Sequence, residues 1–578
     1  MGSGRIRLPV LFEPSEHPPL RRPIAVDAET TPRQLVLRTM FGNPRRTVPA
    51  AILVVGHQVG EALVPVVMGL AIDRGVGTGD LAATLRWIVV LGCVFAMLSL
   101  SFRFGSRIGF LGMQTIQHGL RNQVTDRILD PRGMAGAGRS PGVALSIATS
   151  DVTRLAITVA AVVYPIGELG AVLFCGVVLL WISWPLGVVV LLGAPAILWC
   201  LDRAGGPLRR RSEHEQKAAG EAAGAAADLV AGFRVIKGIH AEPEADRRYA
   251  VASERALRAV ITARRAQGAY LGVMDSVAAL FVVTVGIAAG VMTVTGTLTV
   301  GQLITVVGLT QFVMGPLSAL GTNFGRIWVA GLASAKRVLM ILQAPYAREA
   351  GTVDVGPTTD VLELDAVPLP GGELTVTLPR RGVTAVVADA ETTAALAAVL
   401  ARSKSVESGS VRVGGQDVFE FDDATAIRVL RVAPHSADLF EGSVAENIAA
   451  GIGEAADAES RVTRAAFAAA CDDVAEVLPH GLDTEVGEAG RLLSGGQRQR
   501  IGLARALAAD SAVLVLVDPT NAVDSVTETT IAERLRAARG DAATVVFTHS
   551  PTLIAHADAV LTIDEDMSAT LAGQAVAS

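Results

Sequence analysis

The sequence predicts an α-helical membrane domain with six transmembrane helices joined to a soluble α/β domain, and three observations carry that prediction. Of 578 residues, 51% are hydrophobic and only 18% are charged, and the mean hydropathy is +0.45, too apolar for a soluble chain of this length. Runs long enough to cross a bilayer, about 20 residues each, lie between Val48 and Val329. After Arg337 the pattern changes to short β-rich runs such as Gly382–Val387 and Ala512–Val517, alternating with Ala-rich helical stretches such as Ala465–Ala470.

In chain order, residues 1–31 form an N-terminal extension, Pro- and Arg-rich up to about Glu29 and without the apolar core of a cleavable signal peptide. It is expected to start in the cytoplasm. The membrane domain is expected over residues 32–337, with spans at Val48–Ile72, Leu85–Ser101, Leu155–Ile182, Leu186–Leu201, Ala269–Val294 and Leu303–Val329, the fourth being the shortest. Arg45 and Arg46 precede the first span, Arg103 to Arg139 follow the second, and Arg203 to Arg211 follow the fourth. Short-loop cations mark the cytoplasmic side, so both termini are expected in the cytoplasm of a bacterium, the chain spanning its plasma membrane several times. About 50 to 70 residues with helical spacing, too polar for lipid, separate spans two and three, and again four and five. Long helices are therefore expected to project into the cytoplasm. The α/β domain is expected over residues 338–578.

A net charge of −6 leaves no cationic excess for a nucleic-acid surface. Cys93, Cys175 and Cys200 lie in apolar stretches and Cys471 stands alone. No metal, redox or disulfide spacing results, and no metal site is expected.

The segment Leu493-Ser494-Gly495-Gly496-Gln497-Arg498-Gln499-Arg500 opens a helical run from Ile501 to Ala509. Two glycines permit close approach of backbone to a phosphate, Ser494 offers a hydroxyl, and a helix N-terminus presents free N–H groups. It is followed by a strand, an Asp-Pro-Thr-Asn-Ala-Val-Asp run at Asp518–Asp524 and a strand ending in Thr548-His549. This series resembles the signature region of ABC transporters, and the resemblance extends from about Pro32 to the end of the chain. The six-span pattern is similar to the exporter-fold (type IV) half-transporter. Gly142–Asp151 and Gly232–Glu242 look like the segments that surround that family's coupling helices.

The same resemblance exposes losses. ABC ATPases hold triphosphate in a Gly-rich loop ending in Lys-Ser/Thr, which supplies backbone N–H groups, a cation and a hydroxyl for magnesium. Here the corresponding run is Ala388-Asp389-Ala390-Glu391-Thr392-Thr393-Ala394-Ala395-Leu396, with no glycine and no lysine. Asp389 and Glu391 add negative charge where phosphate charge would lie. At the magnesium-organising Asp and the catalytic Glu stand Val517 and Asp518; a slip of one residue restores the Asp and puts Pro519 at the base position. His435 stands where the family usually has Gln in the loop Pro434-His435-Ser436-Ala437-Asp438-Leu439-Phe440, and no aromatic residue for adenine stacking lies near Val367–Gly372. His549 resembles the switch histidine and Asp524 the aspartate of the loop between nucleotide domains.

In this family each ATP site combines one chain's P-loop with the other chain's signature. The resemblance therefore implies the degenerate half of a heterodimer. The partner would be a second half-transporter with an intact P-loop and catalytic Glu. ATP and Mg2+ would be held at the composite site, with Ser494, Gly495, Gly496 and Gln497 facing partner-bound ATP. Within the spans, His57 and Glu61 stand four residues apart, and Glu168 and Asp275 add two carboxylates; these are a possible pathway for a cationic cargo, or groups bonded between helices. An amphiphilic small molecule or lipid, exported, is the expected cargo. A siderophore importer on the same fold and a non-transporting pseudo-ATPase regulator are the alternatives.

Overall fold

The computed structural model describes residues 23–573 except 136–139, 205, 355–360, 407, 437 and 453–456. The extension up to residue 22, Arg139 and Ala437 lie outside the described residues. The chain divides into two compact units, residues 23–127 with 140–343, and residues 128–135 with 344–573.

The first unit is helical. After a short helix α1 (Pro32–Met40), whose N-terminus is closed by a reciprocal cap between Thr31 and Gln34, come α2 (Pro44–Arg74), α3 (Leu81–Ile128), α4 (Pro141–Ser146), α5 (Val152–Ile157), α6 (Ala160–Ile182), α7 (Trp184–Ala204), α8 (Gly206–Ala231), α9 (Phe233–Gly238), α10 (Glu242–Val294) and α11 (Val300–Leu342). At 48 and 53 residues, α3 and α10 are roughly 72 and 80 Å long, more than twice the hydrocarbon thickness. They run on well past their apolar portions, as the polar stretches beyond the second span and before the fifth require. Although the composition changes after Arg337, α11 continues to Leu342 because Val338, Leu339 and Ile341 are buried.

Among the described residues, five helical segments are long and apolar enough to cross a membrane: Pro44–Thr78, Leu81–Ile128, Pro141–Ile182, Glu242–Val294 and Val300–Leu342. The expected fourth span forms helix α7, of which Trp184–Cys200, roughly 25 Å, is an apolar stretch shorter than the five among the described residues. It begins straight after the break at Ser183 and runs into Asp202 and Arg203. By length and composition five of the six expected spans are thus met among the described residues, and the sixth is a shorter apolar helix.

Small residues bring the first and last spans together. A Cβ on Gly69 would lie 2.3 Å from the Gly301 carbonyl oxygen, and one on Gly301 would lie 2.0 Å from that of Gly69. The backbones of α2 and α11 touch there, as small residues allow between membrane helices. Nearby, the Asp73 carboxylate accepts from the Gly301 N–H at 2.8 Å and from the Thr299 hydroxyl. Between α4 and α5 a π-helical turn, Ile147–Asp151, buries Asp151 completely. That carboxylate accepts from Ser334 and Arg337 of α11.

The second unit is α/β. An antiparallel sheet of β1 (Leu362–Leu369), β2 (Gly372–Thr377), β4 (Ser410–Val413) and β5 (Gln416–Asp417) has the order β2-β1-β4-β5. The main sheet, in the order β10-β9-β3-β8-β7-β6, comprises β3 (Val383–Val387), β6 (Leu430–Ala433), β7 (Val513–Val517), β8 (Ala543–Phe547), β9 (Ala559–Ile563) and β10 (Ala569–Gly573). It is parallel except for the antiparallel edge strand β10. Its interior strands β7 (Val-Leu-Val-Leu-Val) and β8 (Ala-Thr-Val-Val-Phe) are almost wholly apolar and buried along almost their whole length, as a sheet covered on both faces requires. The helices that bear on the site are α12 (Ala390–Leu400), α13 (Asp423–Val429), α14 (Val444–Ala449), α15 (Ala458–Ala468), α16 (Asp472–Val477), α17 (Gly495–Ala508), α18 (Ser525–Arg539) and α19 (Pro551–His556).

Candidate functional site

In an open parallel sheet, ligands bind beyond the carboxyl ends of the strands. At that edge β3, β8 and β7 lie side by side, with Val386 and Val517 both in register with Phe547. The Thr548 N–H donates to the Val386 carbonyl at 3.0 Å and the Asp518 N–H to the Phe547 carbonyl at 2.9 Å. The P-loop position, Asp518 and His549 are thereby gathered on one edge.

The corner after β3 is shorter than a phosphate loop. Only Ala388 and Asp389 separate Val387 from the first residue of α12. Asp389 caps the helix: its carboxylate accepts from the N–H of Glu391 at 2.8 Å, the N–H of Thr392 at 2.9 Å and the Thr392 hydroxyl at 2.6 Å. The Thr392 hydroxyl and backbone hold that carboxyl below the usual carboxylate range. Two N–H donors at this helix start and the Thr392 hydroxyl are taken by the chain's own carboxylate. Thr392 and Ala388 are buried, Thr393 donates to the Ala388 carbonyl at 3.4 Å, and Glu391 and Ala394 are exposed. Triphosphate with magnesium does not fit these residues: the corner has no cradle of free N–H groups, no cation, and two acidic side chains.

At the end of β7, Val517 offers no oxygen and Asp518 has a left-handed φ of +45°, which aspartate tolerates better than most residues. Its geometry is held by Gln499 of α17. The Gln499 side-chain N–H donates to the Asp518 carbonyl at 2.8 Å, and its oxygen accepts from the Ala522 N–H at 2.7 Å. Asp524 caps α18, accepting from the N–H groups of Val526 and Thr527 and from the Thr527 hydroxyl. The Thr527 N–H and hydroxyl hold its carboxyl below the ordinary range. His549 is exposed.

The signature segment is built as an intact helix start. Ser494 and Gln497 cap each other, the Gln497 N–H donating to the Ser494 hydroxyl at 3.3 Å and the Ser494 N–H to the Gln497 side-chain oxygen at 2.8 Å. Arg498 turns inward to the carbonyls of Gly490 and Leu493. The two glycines differ in role. A Cβ on Gly496 would meet the Ala522 carbonyl oxygen at 2.6 Å, whereas one on Gly495 would meet only the Ala522 Cβ, at 3.8 Å. Gly496 lets α17 close on the loop after β7; Gly495, exposed beside exposed Ser494, leaves its backbone open to a ligand.

His435 is exposed and lies on the wall of a cavity of about 580 Å³ that also includes Arg402, Arg431, Phe440, Arg505 and Val517. In the helical unit, His57 and Glu61 come together, with Nε2 3.9 Å from Oε1. Glu168 is half-buried on α6 and Asp275 is exposed on α10. Sequence reasoning singled out neither Asp389 as a cap nor Gln499 as a brace. The first had a signal, an Asp immediately before a helical run; the second is a long-range contact with no local signature.

A multi-span helical unit with an α/β unit of this strand order and an exposed Ser-Gly-Gly helix start defines the class of membrane transporters driven by a nucleotide-binding domain. The chain belongs to the ABC transporter family: residues 49–317 match the ABC transporter transmembrane region and residues 393–521 the ABC transporter domain. An ATP-dependent lipid A-core flippase of Xanthomonas oryzae pv. oryzae (strain MAFF 311018) is 29% identical over 396 residues, 67% of either chain. A multidrug efflux ATP-binding/permease protein of Mycobacterium tuberculosis is 29% identical over 518 residues, 87% of this chain and 42% of that protein. The solved structure of a bacterial Atm1-family ABC exporter with ATP bound covers 92% of this chain and 96% of its own, with TM-score 0.71 and 23% identity, which establishes the exporter fold.

Proposed function

We propose that this chain is the degenerate-site half of a heterodimeric ATP-driven exporter of an amphiphilic small molecule or lipid in a bacterial plasma membrane, with both termini cytoplasmic. The observation that carries the reading is the contrast between two helix starts. At α12 Asp389 occupies two backbone N–H groups and the run Ala388–Leu396 holds no lysine, while at α17 Ser494 and Gly495 remain exposed for a ligand. The family-domain match begins only at Thr393, inside the run Ala388–Leu396 that stands at the P-loop position. Two copies of this chain would pair two usable signatures with two unusable P-loops. A different partner, bringing a P-loop and a catalytic Glu, would complete one site with Ser494, Gly495, Gly496 and Gln497, and ATP with Mg2+ would bind there.

The lipid and multidrug cargo of the named relatives supports the export reading; a siderophore importer on the same fold is the nearest alternative. The lost P-loop also favours a non-transporting pseudo-ATPase regulator, against which the intact signature cap argues. The test is magnesium-dependent ATP hydrolysis by the chain alone, by the chain with its co-expressed partner half, and by the pair carrying Ser494→Arg. An inert lone chain, an active pair and loss of activity with Ser494→Arg are expected. Hydrolysis by the lone chain that survives Ser494→Arg would sink the reading, and inactivity of the pair would favour the regulator.

A further inference from the structure

We propose that the His57–Glu61 pair is a binding site for a protonated primary or secondary amine carried on an apolar body. This rests on the transporter reading above and names its cargo class. The argument starts from one hydrogen bond. His57 Nδ1 lies 2.9 Å from the carbonyl oxygen of Leu98 on α3. A carbonyl only accepts, so Nδ1 carries the hydrogen, and in the neutral imidazole Nε2 is left as an acceptor. Nε2 faces Glu61 Oε1, also an acceptor, at 3.9 Å, too long for a hydrogen bond between them. Two acceptors are thus aimed at each other, and among the described residues no donor bonds to the Glu61 carboxylate. A positively charged group with two N–H bonds satisfies both: one N–H to Nε2, one to the carboxylate, with charge compensated in a segment where an ionised carboxylate is otherwise costly.

The surroundings supply the rest of the ligand's chemistry. Glu61, but not His57, lines a groove of about 330 Å³ that includes Pro65, Met68, Phe95, Leu98 and Phe312, and it is the one ionisable residue on that wall, with His57 Nε2 3.9 Å behind it. Gly308 lets α11 close on α2 there, since a Cβ on it would lie 2.5 Å from the Pro65 Cβ. The Phe102 ring, 4.9 Å from that of His57, orients the imidazole. An apolar groove with one carboxylate at its side suits a hydrophobic cation, and the paired acceptors distinguish an N–H-bearing cation from a quaternary one.

The test uses the full chain with its partner half in lipid nanodiscs, empty nanodiscs serving as the blank. Binding of tritiated N-methyl-1-naphthalenemethylamine is compared with that of its trimethylammonium analogue, which keeps the charge and the apolar body but has no N–H. The secondary amine is expected to bind about 10- to 100-fold more tightly, and Glu61→Gln, with its unprotonatable amide, is expected to erase that preference. Equal affinity of the two amines for the unmodified protein overturns the proposal without reliance on any variant. A preference that persists in well-folded Glu61→Gln also overturns it. ATP hydrolysis is measured on the same preparation: amine preference without hydrolysis refutes the heterodimeric ATPase and leaves the site standing, and hydrolysis without preference refutes the site alone.

Discussion

Replacing Gly496 by alanine separates the structural from the ligand-facing half of the signature. Two effects oppose each other. Alanine is the better helix former by up to about 1 kcal/mol, and Gly496 is the second residue of α17. Against this, the new Cβ would stand 2.6 Å from the Ala522 carbonyl oxygen. That oxygen is backbone, on a loop already pinned through Ala522 N–H to Gln499, so the clash cannot be relieved by a side-chain rotation. Overpacking of this kind costs about 1–3 kcal/mol. With the upper half of that range for a braced loop, the net loss is about 1–2 kcal/mol. For a domain of this size that lowers the melting midpoint by roughly 2–8 °C. The assay is thermal unfolding of the purified full chain at a fixed scan rate, because irreversible unfolding makes the midpoint rate-dependent. Gly495→Ala is the control, since its Cβ would make an ordinary 3.8 Å contact. It should melt at or above the unmodified protein while reducing ATP hydrolysis by the pair. A Gly496→Ala protein that melts as high as Gly495→Ala would refute the close approach of α17 to the loop after β7.

Two further outcomes follow from the α/β unit. Gln499→Leu keeps the volume but removes the bonds to the half-buried Asp518 carbonyl and to the Ala522 N–H; at about 0.5–1.5 kcal/mol for each hydrogen bond lost, it should lower the chemical-denaturation midpoint, with Gln499→Glu, which retains the acceptor for Ala522, lying between. Cys471 is buried and its thiol is pushed up to about 12, chiefly by burial, so at pH 8 it should resist a maleimide in the folded chain and react once the chain is denatured, as read by mass spectrometry of the modified peptide.

The helical unit was legible because its signal is additive: long apolar runs, with cations confined to alternate connections, survive local ambiguity. The fourth run was legible as a short one, Leu186–Leu201, and the apolar helix it forms, Trp184–Cys200, is short as well. At the nucleotide-domain edge, the missing glycines and lysine were plain in the sequence, but their structural meaning was not. Loss of a loop was legible as composition; its replacement by a two-residue corner sealed by Asp389 depends on strand β3 ending at Val387, a boundary that pattern reading does not locate. Gln499 escaped because it works across 19 and 23 residues of chain, through backbone groups that carry no sequence identity. The His57–Glu61 spacing was visible, whereas the tautomer that makes both groups acceptors depends on Leu98, 41 residues away.

On the degenerate-site reading proposed above, the asymmetry between α12 and α17 also bears on how such a chain would remain folded without a nucleotide of its own. A helix start with unpaired N–H groups is a cost that bound phosphate normally offsets. At α12 the offset is internal, because Asp389 takes two N–H groups and a hydroxyl. This corner therefore has no need of a ligand to complete these hydrogen bonds. At α17 the cap is also internal, but it is made by Ser494 and Gln497 to each other and leaves Gly495 and the Ser494 hydroxyl exposed. On the reading proposed above, the first arrangement would remove a nucleotide-dependent element from the chain, and the second would keep a surface for a phosphate brought by another subunit. If that is the division of labour, nucleotide should protect α17 from amide hydrogen exchange only when the partner half is present, and should leave α12 unchanged in either case.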